Sequence, residues 1–193
     1  MQTPDVPFGK DAIESILPHR DPFLLIDEVT ELEPGRRVVA RRSVNADDWW
    51  FRGHFPERPV MPGVLIVEAM AQTGAVAVLT QEENRGRLAL FAGIDDVRFK
   101  RIVEPGDELV FECRIETVRG PIGKGKATAH VGDELAARGM LTFVIDGQAL
   151  RREVRRAGVV RIPWSGPATR VRVVAWDAAG NVSGPAVRVQ RSD

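Results

Sequence analysis

The segment from Val64 to about Gln81 is apolar on every side. Val64, Leu65, Ile66, Val67, Ala69, Met70, Ala71, Ala75, Val76, Ala77, Val78 and Leu79 keep to no single stripe, and a helix of that kind is buried rather than laid on a surface. Pro62 suits its first turn, where a missing N–H costs little. Glu68 and Gln72 interrupt the apolar run at i and i+4, so they share a face. Elsewhere apolar and polar residues alternate. Residues 23–33 and 37–44 read as strands joined by the turn Glu33-Pro34-Gly35-Arg36. Residues 88–99, 107–119, 124–131 and 134–145 read as four more, with a turn at 103–107 and a tight one at Gly132-Asp133. A short helical pattern covers 11–16 and ends before Pro18. One buried helix among consecutive antiparallel strands predicts an α+β domain with the helix packed on the sheet.

The character changes near Gly147. Arg151-Arg152-Glu153-Val154-Arg155-Arg156 is charged, 161–167 is punctuated by proline and glycine, and two alternating runs flank a turn at 177–181. This hairpin pattern resembles the last strands of a fibronectin type III or immunoglobulin-like module, but the segment is too short for the whole sandwich. A lone hairpin is marginal in water, so it must dock on the body, pair with a partner chain or stay mobile. The chain thus divides into a domain at 1–146 and a basic linker with a C-terminal extension at 147–193.

Charge follows the same division. The total is zero, 27 basic against 27 acidic residues. Residues 147–193 carry nine Arg against Glu153, Asp177 and Asp193, a net of +6, and the first 146 residues carry 18 basic and 24 acidic, a net of −6. A basic end on an acidic body suits an acidic partner or a solvated connector. No apolar run is long enough to span a membrane, and no secretory pattern opens the chain. Cys113 is the single cysteine, which fits a reducing cytoplasm. No phosphate loop or nucleotide fingerprint is present, nothing points to nucleic acid, and three scattered histidines with one cysteine make no zinc site.

The candidate chemistry sits where the long helix begins. Gly53-His54-Phe55-Pro56-Glu57-Arg58-Pro59-Val60-Met61-Pro62-Gly63 runs through a proline- and glycine-bounded turn into the helix that carries Glu68. A buried carboxylate is expensive unless something uses it. A histidine and a glutamate in one pocket can act as general base and general acid, the pair that removal of water requires.

Three segments, in order, resemble the 3-hydroxyacyl-acyl-carrier-protein dehydratases of the FabZ type. They are Leu17-Pro18-His19-Arg20-Asp21-Pro22-Phe23-Leu24-Leu25-Ile26-Asp27; the run from Gly53 to Gln72; and Ile94-Asp95-Asp96-Val97-Arg98-Phe99-Lys100 with Pro105-Gly106-Asp107. The resemblance covers about residues 9–146. It implies a hot-dog fold, a long central helix wrapped by a curved antiparallel sheet. It also implies a homodimer with active sites at the subunit interface, assembled in some members as a trimer of dimers. By the same resemblance His54 takes the C2 proton of a (3R)-hydroxyacyl thioester. Glu68, protonated because its apolar setting raises its pKa, sends the C3 hydroxyl out as water, leaving a trans-2-enoyl thioester of fatty-acid or polyketide-like biosynthesis. The backbone N–H of Gly63 meets the thioester oxygen at the positive end of the helix. Gln72 positions Glu68, and Phe55 and Val64 flank the substrate. No cofactor or metal is needed. Acyl carrier protein, an acidic partner, is expected to dock on Arg98, Lys100 and Arg101, with the Arg pairs at 151–152 and 155–156 extending that patch.

Several readings stay open at this level. His19 lies in a matching segment but its spacing suggests no partner, which makes it structural. Trp49 and Trp50 either narrow the acyl tunnel or pack in the core. The chain has no Tyr, so a tyrosine gate cannot exist here, and Phe91 or Phe99 is expected in a similar place. Glu at position 68, where the bifunctional FabA-type dehydratase–isomerases carry Asp, favours dehydration without isomerisation. The rival functions are a hot-dog acyl thioesterase and a non-catalytic hot-dog module that holds partners together. Acyl length, carrier identity and dimer against hexamer are not legible.

Overall fold

The computed structural model describes residues 4–146; the hairpin expected at 147–193 lies outside them. Seven antiparallel strands form one sheet: β1 (Phe8–Gly9), β2 (Glu28–Glu33), β3 (Arg37–Ser43), β4 (Leu88–Phe99), β5 (Glu108–Arg119), β6 (Ile122–Val131) and β7 (Glu134–Asp146). Their spatial order is β1-β2-β3-β5-β6-β7-β4. Helix α1 (Lys10–Ile16) follows β1, and α2 (Gly63–Leu79) is the long helix. The helix packs against β2 to β7.

The alternation along β3, β5, β6 and β7 explains the packing. Val38, Ala40, Leu109, Phe111, Cys113, Ala127, Ala129, Ala137 and Leu141 turn inward onto Leu65, Ile66, Ala69, Met70, Val76 and Ala77 of α2, and period-2 strands present one apolar face to such a helix. The helix comes very close to β5 at Gly74. A Cβ there would lie 2.8 Å from Cys113 Sγ, so only glycine lets helix and sheet approach so nearly.

One expected strand is shorter than its pattern. Residues 23–27 of the segment 23–33 are not part of a strand. A side chain takes part of their backbone: Leu25 N–H donates to Gln72 Oε1 at 2.8 Å, and Gln72 Nε2 donates to the Phe23 carbonyl at 2.9 Å, while Asp27 N–H still donates to the Arg41 carbonyl at 2.8 Å. Trp50 is buried beside Arg42, within a single 3-10 turn at Trp49–Arg52.

The two edges of the sheet differ. β1 is two residues long. β4 is 12 residues long and bulged twice, and it leaves Leu90, Phe91, Ile94 and Phe99 about half exposed.

Candidate active site

Glu68 sits on the second turn of α2, and the i+4 spacing to Gln72 becomes a direct contact. Gln72 Nε2 donates to Glu68 Oε1 at 3.0 Å. Gln72 is itself 1% exposed and anchored at both ends of its amide by Leu25 and Phe23. His19 also reaches this carboxylate, with Nε2 3.5 Å from Oε1. The structural role expected for His19 is therefore incomplete: a partner exists, supplied by the loop between α1 and β2 rather than by sequence spacing.

The expected direction of the Glu68 pKa is reversed in the single chain. Burial pushes the carboxyl up, but the hydrogen bonds from His19 and Gln72 outweigh it and hold Glu68 below the usual carboxylate range. An apolar helix supplies the desolvation; its neighbours supply more in the other direction.

These residues line a cavity of about 210 Å³ between α2 and the sheet. Beyond His19, Glu68 and Gln72 its wall is Ala71, Gly74 and Ala75 of α2, with Leu90, Phe91, Cys113, Ile115, Leu141 and Phe143 prominent among the strand residues. Such a slot suits an acyl chain better than a polar ligand. From sequence Cys113 spoke only for a reducing compartment; it lines this cavity, and burial pushes its thiol up to about 12, so it stays protonated. Phe91, one of the two expected stand-ins for a tyrosine, is in the wall. The tryptophans are not.

His54 does not line this cavity. It follows the 3-10 turn, and its loop is closed by paired bonds: His54 N–H to the Trp50 carbonyl at 3.0 Å, and Val60 N–H to the His54 carbonyl at 3.1 Å. Nδ1 lies 2.9 Å from the Val60 carbonyl. Nδ1 therefore carries the proton, which leaves Nε2 with a free lone pair, the arrangement a general base needs. The ring stacks on Phe55 at 4.1 Å between centroids, and Phe55 is half exposed.

Gly63 opens α2. Leu65 N–H and Ile66 N–H bond the Pro62 carbonyl, no side chain caps this helix end, and the Gly63 and Val64 N–H groups have no acceptor among the described residues. These orphan donors at the positive helix end form a ready anion site. Phe99 closes over Gly63 so tightly that a Cβ would lie 2.8 Å from its ring. Val64 projects outward, 74% exposed.

The three basic residues expected to dock a carrier differ. Arg101 is consumed by bidentate bonds to Asp107 at 2.7 and 3.0 Å and by Glu134 at 2.7 Å. Lys100 is exposed. Arg98 lines a groove with Lys126 and Arg138, beside Asp96 and Glu116.

Comparison with known proteins gives the family. The model of the FabA-like domain family matches residues 17–140. The 3-hydroxyacyl-[acyl-carrier-protein] dehydratase FabZ of Bacillus cereus strain AH187 is 58% identical over 135 residues, 70% of this chain and 94% of that protein. The chain belongs to the FabZ-type dehydratases of the FabA-like family. The FabZ of Bacillus thuringiensis strain Al Hakam matches to the same extent. Among solved structures, the dehydratase heterocomplex ApeI:P of Xenorhabdus doucetiae superposes with a TM-score of 0.63 at 18% identity, covering 75% of this chain and 94% of that one. The uncharacterized protein PH1136 of Pyrococcus horikoshii gives 0.54 at 14% identity, covering 73% and 95%. Those two speak for the fold alone, the hot-dog arrangement of one helix against a seven-stranded antiparallel sheet. Among the described residues, no helix is long and apolar enough to cross a membrane.

Proposed function

We propose that this chain removes water from (3R)-3-hydroxyacyl thioesters of acyl carrier protein in fatty-acid biosynthesis, with His54 as base, Glu68 as acid and two copies of the chain around each substrate. The observation that carries the reading is the division of the site. The acid and the acyl slot are present in one chain, whereas the base lies on a separate loop outside the slot. A second copy supplies what is missing. Among the described residues β4 offers an open edge whose half-exposed Leu90, Phe91 and Ile94 suit an antiparallel partner, and an apolar edge of this length needs a cover. Leu90 and Phe91 are also cavity wall, so pairing there closes the slot and makes a homodimer the working unit.

The reaction follows from the atoms. His54 Nε2 takes the C2 proton, and the electron pair left at C2 is drawn toward the thioester carbonyl. The Gly63 N–H, backed by the helix end, stabilises the negative oxygen. Glu68 gives its proton to the C3 hydroxyl, the C3–O bond breaks, water departs and the C2–C3 double bond forms. Glu68 must be protonated for this step. A bound acyl chain and a second subunit strip the remaining water from a side chain that is 19% exposed in the single chain, which strengthens the upward push of burial. Both proton transfers use side chains, so no cofactor or metal takes part.

Residues 1–146 form the dehydratase unit and 147–193 an appended segment. The single cysteine, reduced, fits the cytoplasm. Carrier docking falls to Arg98 and Lys100, supported by Lys126 and Arg138, because Arg101 is already paired. The test is turnover of a 3-hydroxybutyryl or longer 3-hydroxyacyl carrier thioester followed by ultraviolet absorbance. A rise from conjugated enoyl product supports dehydration. Release of free thiol without enoyl identifies a thioesterase and rejects the reading.

A further inference from the structure

His19 has no part in the steps above, yet its Nε2 is 3.5 Å from Glu68 Oε1, a length usual for such contacts before substrate is bound. The two side chains are 25% and 19% exposed and line the same cavity. The other ring nitrogen, Nδ1, is buried without a hydrogen-bond partner. A buried N–H without an acceptor is rarely tolerated, so the ring proton belongs on Nε2, facing Glu68. Gln72 Nε2 donates to the same oxygen at 3.0 Å, and its amide cannot flip without breaking the bonds to Leu25 and Phe23. Two N–H donors thus converge on Oε1, and no described residue donates to Oε2.

A carboxylic acid has one oxygen that accepts and one that carries the proton. We infer that His19 is a positioning residue of the dehydration site, which together with Gln72 reserves Glu68 Oε1 as the accepting oxygen so that the transferable proton rides on Oε2. This rests on the reading of Glu68 as the acid. When Oε2–H protonates the C3 hydroxyl and water leaves, the negative charge left on the carboxylate already has two donors on Oε1. A carboxyl free to exchange its oxygens would meet the hydroxyl with the wrong one part of the time.

The alkaline limb of the pH profile belongs to this pair, whereas the proposed base His54 governs the acid limb. Among the described residues, the only other titratable group in the cavity wall is Cys113, protonated through the working range. Apart from Gln72, what α2, β4, β5, β6 and β7 contribute to the wall is otherwise apolar. Arg20 turns its guanidinium to the Leu17 and His19 carbonyls and toward Glu14 at 3.6 Å.

His19→Met and His19→Gln are near-isosteres that differ in the N–H donor. In the full-length enzyme His19→Met should lower the plateau kcat about tenfold with KM within about threefold of wild type. Because donors to the carboxylate lower its pKa, losing one should also move the alkaline limb of the kcat profile to higher pH. His19→Gln should bring the plateau back to within about threefold and return the limb toward the wild-type position. Carbon-13 NMR of the Glu68 carboxyl, which needs no turnover, should report the same upward pKa shift in His19→Met; His19→Ala replaces that variant if it does not fold. Overturning results are a His19→Met enzyme with wild-type kcat and limb, a His19→Gln enzyme as impaired as His19→Met, or an unmoved Glu68 titration. Wild-type enzyme that forms no enoyl product rejects the dehydratase reading instead, and the NMR titration then still decides whether His19 governs Glu68.

Discussion

The two ends of the site are built to different standards of completeness. Around Glu68 the acid is tied down within one chain: Gln72 is pinned at both amide atoms, the carboxylate has two neighbours on one oxygen, and the apolar wall is assembled from α2 and the strands. Around His54 the loop backbone is firmly closed, but the surface is not. Phe55, Val64 and Phe99 are all more than half exposed, and the first N–H groups of α2 point to no acceptor. The difference teaches that one end of the site is held firmly within the single chain while the other stays open, which is what the proposed two-chain site requires.

The sharpest way to break that comparison is to separate the two ends genetically. His54→Ala and Glu68→Gln should each fold, dimerise and lose about 10³–10⁴-fold in kcat. If the halves come from different chains, co-refolding equal amounts of the two inactive variants should restore about a quarter of wild-type activity. Half of the random dimers are then mixed, and each mixed dimer holds one intact site of two. No recovery would place both groups in one chain.

Next in size is the cover itself. Ile94→Lys on β4 should shift the protein to monomers by analytical ultracentrifugation and cost about 100-fold or more in activity, while the circular dichroism of the isolated domain stays native. Gln72→Leu probes the complete end. It strands the Leu25 N–H and the Phe23 carbonyl, and urea unfolding should report a loss of about 2–3 kcal/mol. Gly63→Ala probes the open end, where the added methyl meets the Phe99 ring. It should cost about tenfold in kcat/KM, and Phe99→Ala in the same chain should relieve much of it.

The smallest effect lies away from both ends. Hydrogen bonds from Arg101 hold Asp107 below the usual carboxylate range, against the opposing push of burial. The stability this lends is full above the unfolded-state pKa of about 4 and fades as pH falls through the lower folded value. Asp107→Asn should therefore lower Tm modestly at pH 7, by an amount equivalent to about 0.5–1 kcal/mol, with the difference shrinking in acid.

What could be read in advance follows physical lines. The boundaries of β4 to β7 came from alternation and from Gly132-Asp133, because those strands obey local rules. Glu68 and Gln72 were paired by helix periodicity alone. His19 was not, since its contact spans 49 residues and depends on a loop without periodicity. Residues 23–27 looked like strand because their composition suits one; the buried Gln72 amide takes the Leu25 N–H and the Phe23 carbonyl instead, a contact too distant in sequence for any local pattern to show. The depressed pKa of Glu68 was missed for the same reason as His19. Val64 and Ile94 were legible as apolar, but a pattern of apolar residues does not say whether the burying surface is the same chain or another.

The other margin of the sheet carries a consequence of its own. β1 offers only Phe8 and Gly9 to any newcomer, too little ladder to hold a further strand. In the proposed dimer, paired along the long margins, both outer edges carry these two-residue stubs, so growth by adding strands is disfavoured there and any larger assembly has to use other faces.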